Sequence, residues 1–215
     1  MVALRIGVAL AILASTAHAQ SLTPSPLQAP PPAELSAGVK AEMQKSGFKV
    51  ASGETTLELW WVSALKVTAQ GEGWEYVESG TLVGAVRITG SFKEIRGKPV
   101  KPGVYTLRYG LQPQNGDHLG ISPNREFLLL SPAAVDQDPK TTGFDPVVAL
   151  SKQTIGTSHP ASLSLDPPLA PDPPLSTYSN DQEHKGVVFD VPQSLNGKVV
   201  GTLRFGLIVI GLIVH

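Results

Sequence analysis

The chain contains no cysteine. That excludes a disulfide framework, thiolate nucleophiles, cysteine-ligated zinc or iron–sulfur centres and a lipid-modified N-terminal cysteine, so burial alone must hold the fold. Charge is sparse and balanced: 17 Lys and Arg stand against 18 Asp and Glu, for a net charge of −1. Without a basic run, nothing in that balance draws the chain toward nucleic acid or an anionic membrane surface. No Asn-x-Ser/Thr acceptor occurs, which suits a bacterial periplasm or culture medium better than a eukaryotic secretory route. G-x-S-x-G, H-E-x-x-H, G-x-G-x-x-G and P-loop patterns are all missing, as is any internal repeat. No apolar run reaches the ~20 residues that a spanning helix needs. The best, residues 206–214, is about half that length and rich in Ile and Val, so residues 203–214 are expected to form a buried terminal strand.

The N-terminus is informative. Arg5, the apolar run 6–14 and the Ala17-His18-Ala19 end have the form of a secretory signal, expected to be cleaved after residue 19. Loss of Arg5 with it would make the net charge one unit more negative. Residues 20–32 are proline-rich without apolar periodicity, as in an extended, solvated leader. Residues 33–215 then form one β-rich domain, in a periplasmic or secreted protein with no transmembrane span in its mature chain.

Within that domain, short β-prone runs are punctuated by many of the chain's 21 glycines and 19 prolines. Val104, Thr106 and Arg108 alternate with Tyr105, Leu107 and Tyr109, the pattern of a half-buried antiparallel strand introduced by Pro102-Gly103 turn chemistry. The apolar run 127–130 reads as its partner, covered on both faces, and residues 112–126 form an unusually long connecting loop. Further strands are expected at 48–51, 55–62, 65–68, 81–89, 92–95, 161–165, 186–191 and 198–200, with Gly84 as a bulge or close-contact site. In the strand expected at 55–62, Leu57, Leu59 and Trp61 share one face and Trp60 takes the other.

Helical signals are few. Leu35, Val39 and Met43 give one amphipathic helix over 33–45, and Asp145-Pro146 reads as the N-cap and first residue of another. Residues 166–174, DPPLAPDPP, are expected to be an exposed loop. The fold class is therefore mainly β: a single antiparallel β-sandwich or flattened barrel of about eight to ten strands with one or two short helices.

The densest polar cluster lies in the Asn115 to Glu126 loop. Asp117 beside His118 suits imidazole orientation, and His159, ahead of the 161–165 strand, can complete a zinc or copper site if the strands bring it to the same end. The competing reading makes Asn115-Gly116-Asp117 a turn whose side chains satisfy the loop backbone. Asp181, Glu183 and His184 form a second, weaker acidic-His cluster. Ser63-Ala64-Leu65-Lys66 matches S-x-x-K, but its companion S-D-N and K-T-G elements are absent.

The LELWW strand, KPGVYTLRYGLQPQNGDHLGISPNREFLLLSPA and SHPASLSL together resemble a group of secreted proteins of unknown function from soil and environmental bacteria. Through PGVYTLRY the chain is also similar, more loosely, to secreted bacterial β-sandwich modules. The resemblance carries over no catalytic residue, and no cofactor is expected unless the zinc or copper site forms. The leading expectation is an exported, non-enzymatic binding or accessory module for a protein or small-molecule ligand. The alternative is a metal- or small-ligand-binding protein, or a hydrolase, that uses Asp117, His118 and His159.

Overall fold

The computed structural model describes residues 21–113, 124–156, 159–167 and 172–212. In chain order these form β1 (Thr23–Leu27), α1 (Ala37–Glu42), β2 (Gly47–Ser52), β3 (Thr55–Trp61), β4 (Leu65–Lys66), a 3-10 turn (Trp74–Tyr76), β5 (Leu82–Thr89), β6 (Phe92–Lys93) and β7 (Pro99–Val100). There follow β8 (Gly103–Leu111), β9 (Glu126–Pro132), α2 (Phe144–Ile155), β10 (Ala161–Asp166), β11 (Thr177–Ser179), β12 (Lys185–Leu195) and β13 (Lys198–Ile210). Eleven strands share one sheet in the order β1-β2-β3-β5-β8-β9-β10-β13-β12-β11, with β4 added to β12, while β6 and β7 make a separate hairpin. The mainly-β expectation holds, with slightly more strands than the eight to ten foreseen.

The sheet curls into a half-barrel because both of its arms carry large apolar side chains on the concave face. Trp61 of β3 meets Phe189 of β12 and Phe205 of β13 edge-on, with ring centroids 5.1 and 5.3 Å apart. Trp74 stacks on Tyr109 of β8 at 5.0 Å and also meets Phe205. β4, just beyond β3 in the chain, pairs parallel with β12, so the two arms come together at that rim. Gly84 serves both roles foreseen for it. The β5–β8 register shifts beside it, and the Trp61 ring lies where a Cβ would project.

The proline-rich leader is not a solvated tail. β1 pairs antiparallel with β2 over all five of its residues, and Ala29 O accepts a 2.9 Å hydrogen bond from Trp60 Nε1. Pro24 and Pro26 are two apart, so both lack an N–H on the same side of the strand, a pattern tolerated only at a sheet edge. The same prolines leave that edge a poor template for another strand. Trp60 is thus buried on the convex face beneath the leader, opposite Trp61, as the alternation required.

Helix α1 is shorter than its periodicity suggested, starting where Ser36 Oγ accepts from Val39 N. α2 is capped by Gly143 and not by Asp145, which sits inside the first turn, and it ends at Gly156 in the left-handed region. It lies across β9 and β10, with Thr154 Oγ1 donating to Leu130 O and Ser151 Oγ to Ala161 O. The terminal apolar run is a strand as far as Ile210, continuous with 198–200 through the whole of β13. Asn196 and Gly197, with φ of 51° and 78°, make the β12–β13 turn. No helix among the described residues is long and apolar enough to cross a membrane.

Candidate functional site

Three polar assemblies stand out, and the first organises the third. Arg108 and Thr106 project from the convex face of β8, where half-burial was expected, yet both are fully buried because residues 133–142 fold back over them. Arg108 Nε and Nη2 grip the two carboxylate oxygens of Asp136 at 2.6 and 2.8 Å. Nη1 donates to Gly80 O and Thr141 O, and Nη2 also to Asp138 O. All five guanidinium N–H groups are therefore engaged. Thr106 Oγ1 donates to Asp136 as well. A buried ion pair so enclosed presents nothing to a substrate; it ties two loop segments to the sheet.

The second assembly lies on the convex face at the other arm. Asp166, expected in an exposed proline loop, instead ends β10 and is buried. Its carboxylate accepts from Asn124 Nδ2 at 2.7 Å, Tyr178 Oη at 2.9 Å and Asn180 Nδ2 at 3.1 Å. Burial, then the Asp166 charge and its hydrogen bond, push the Tyr178 hydroxyl far above its ordinary range near 10, so it remains a donor. The Tyr178 ring lies over Gly186 and Gly206, where a Cβ on either would collide with it. Both carboxylate oxygens are used internally, and this group too is structural.

The third assembly is a cleft of about 260 Å³. One wall comes from the end of α1 and from β4, with Glu42, Val62, Ala64, Lys66, Val67 and Thr68; the other comes from Glu78, Thr81, Leu82, Pro139, Lys140 and Thr142. Here polar groups from distant parts of the chain converge on open space. The second wall is fixed by Arg108, which holds the carbonyls of Gly80, Asp138 and Thr141. Gly143 N adds a 2.9 Å bond to Ser79 O. Gly80, at φ +94°, approaches the Gly143 backbone so closely that a Cβ would not fit. On the first wall, Ser63 N donates to Glu42 O at 2.7 Å and Lys66 Nζ lies 3.9 Å from Glu42 Oε2.

The sites read from the sequence fare differently. Asp117 and His118 lie outside the described residues. His159 is placed by register: Ala161 pairs with Leu130 and Ser164 with Phe127, so β10 runs toward the loop and His159 precedes its far end. At 3.4 Å per residue that is roughly 20 Å along β9 from Glu126, where the loop closes. The end of β10 that reaches the loop carries Asp166, bonded to Asn124. His159 is not at the loop's end of the sheet, as the shared site required.

Of the weaker cluster, Asp181 and Glu183 are exposed, whereas His184 is 3% exposed with Nδ1 unpartnered. Asn180 Oδ1 accepts from Gln182 N and His184 N, which makes the segment a capped hairpin loop. Among the described residues no three metal-capable side chains come together. In the S-x-x-K stretch the contact that Lys66 makes is to Glu42. Ala64 and Lys66 of that stretch line the cleft, but the rest of its lining carries no motif that would have brought the two walls together in a sequence reading. Comparison with family models, curated proteins and solved structures gives no match, so its geometry carries the functional reading alone.

Proposed function

We propose that the protein is an exported, non-enzymatic binding module whose ligand site is the cleft between the α1–β4 wall and residues 139–142. The supporting observation is convergence: four charged side chains and three threonines from separate parts of the chain border about 260 Å³ of open space. That is somewhat below the volume of a drug-sized pocket and suits a ligand of few heavy atoms. Among the described residues the lining includes no His, Cys or Ser. Export rests on the secretory-signal pattern of residues 1–19.

The test is ligand-observed NMR with a mixture of free amino acids, dipeptides and monosaccharides, on wild type and on Ala64→Phe, which fills the cleft. Saturation transfer in wild type and none in the variant is the expected result. Equal transfer to both would remove the cleft from consideration, and turnover of ester, glycoside or phosphate substrates that Ala64→Phe abolishes would make the protein an enzyme.

A further inference from the structure

From the charges around the cleft we infer the ligand's class: a small zwitterion, an α-amino acid or dipeptide bearing free ammonium and carboxylate groups. This rests on the cleft being the ligand site. Each wall carries one acid and one base, Glu42 with Lys66 and Glu78 with Lys140, so the lining is neutral in sum but divided in sign. Among the described residues Glu78 and Lys140 make no ion pair. Glu42 and Lys66 meet only at 3.9 Å, with side chains 38% and 66% exposed. A pair that long and that wet contributes little, so its members can turn to a ligand's opposite charges at small cost.

Other ligand classes fit less well. A phosphate or dicarboxylate would favour an excess of positive charge and the planar fork of arginine, whereas the cleft has two lysines balanced by two glutamates. A sugar ring would favour an aromatic platform, and no aromatic side chain among the described residues lines the cleft. Val62, Ala64, Val67 and Leu82 instead offer a small apolar surface, the size of a short aliphatic side chain. The hydroxyls of Thr81 and Thr142 can donate to a carboxylate or accept from an ammonium.

The experiment is calorimetric titration of the full exported chain with alanyl-valine, its N-acetyl form, its C-terminal amide, glucose and inorganic phosphate. Alanyl-valine should bind, and capping either end should weaken it roughly twofold to fivefold, the worth of one half-exposed charge contact. Lys140→Gln should weaken alanyl-valine by a similar factor while leaving the amide unchanged. Glu78→Gln should do the same with the N-acetyl form as the insensitive ligand. Capped forms that bind as well as the zwitterion, or heats only with glucose or phosphate, would overturn the zwitterion class and leave the cleft as the site. Heats with none of the five also overturn it. The binding-module reading then falls only if the wider NMR mixture is equally silent on wild type.

Discussion

Arg108 and Asp136 form a bidentate ion pair with both side chains wholly removed from solvent, joining the middle of β8 to a loop 28 residues on. Removing one partner strands the other as a buried charge, whereas removing both leaves apolar volume. Arg108→Met should therefore destabilise by about 3–5 kcal/mol in urea unfolding, and adding Asp136→Leu should recover part of that loss. Because Arg108 holds three carbonyls of the second cleft wall, the double variant, although folded, should bind cleft ligand less well than wild type. Additive losses in the double variant would show that the pair does not act as a unit.

Alternation along β8 assigned Tyr105, Leu107 and Tyr109 to one face and Thr106 and Arg108 to the other, and both assignments hold. What it could not show was the cover on the outer face, because Asp136 belongs to a polar loop whose only local signal is its composition. The leader misled for a related reason. Proline at 24 and 26 forbids a central strand but permits an edge one, and only the exposed side of β2 shows which applies. Asn196-Gly197 was a legible turn signal that would have joined β12 to the whole of β13. The cleft was not legible, since residues 42, 62–68, 78–82 and 139–142 meet only after the sheet has curled.

An edge strand and a solvated leader predict different outcomes on truncation. A chain beginning at residue 33 loses β1 and the Ala29 carbonyl that accepts from Trp60. It also uncovers apolar surface now packed by Leu22, Leu27 and Ala29. The expected cost is roughly 2–4 kcal/mol, together with red-shifted tryptophan emission as Trp60 meets water. Unchanged stability and emission would return residues 20–32 to the role of a free leader.

Tyr178 and its two glycines make a third test. Tyr178→Phe removes one hydrogen bond to a buried carboxylate and should cost about 1.5–3 kcal/mol. Gly206→Ala should cost at least as much, because its methyl group lifts the ring off the strand and breaks the same bond. Combining the two changes should cost clearly less than their sum, since a phenyl ring at position 178 has no bond left to lose. A fully additive result would mean that the glycine matters for some reason other than the ring.

Alkaline stability follows from three tyrosines. Burial pushes the hydroxyls of Tyr105, Tyr109 and Tyr178 upward, most strongly at the latter two, and the Glu126 charge adds to the effect at Tyr109. In the unfolded chain all three lose their protons near pH 10. Above that pH the native state holds protons that the unfolded state has released, so stability falls as pH rises. Their contribution is complete below pH 10 and is lost progressively above it. Tyr109→Phe should leave neutral-pH stability nearly unchanged, since the ring stays stacked on Trp74, but should make the decline above pH 10 shallower than in wild type. The measurement is urea unfolding of both proteins at pH 7, 10 and 11, and parallel curves would show that Tyr109 titrates alike in the folded and unfolded states.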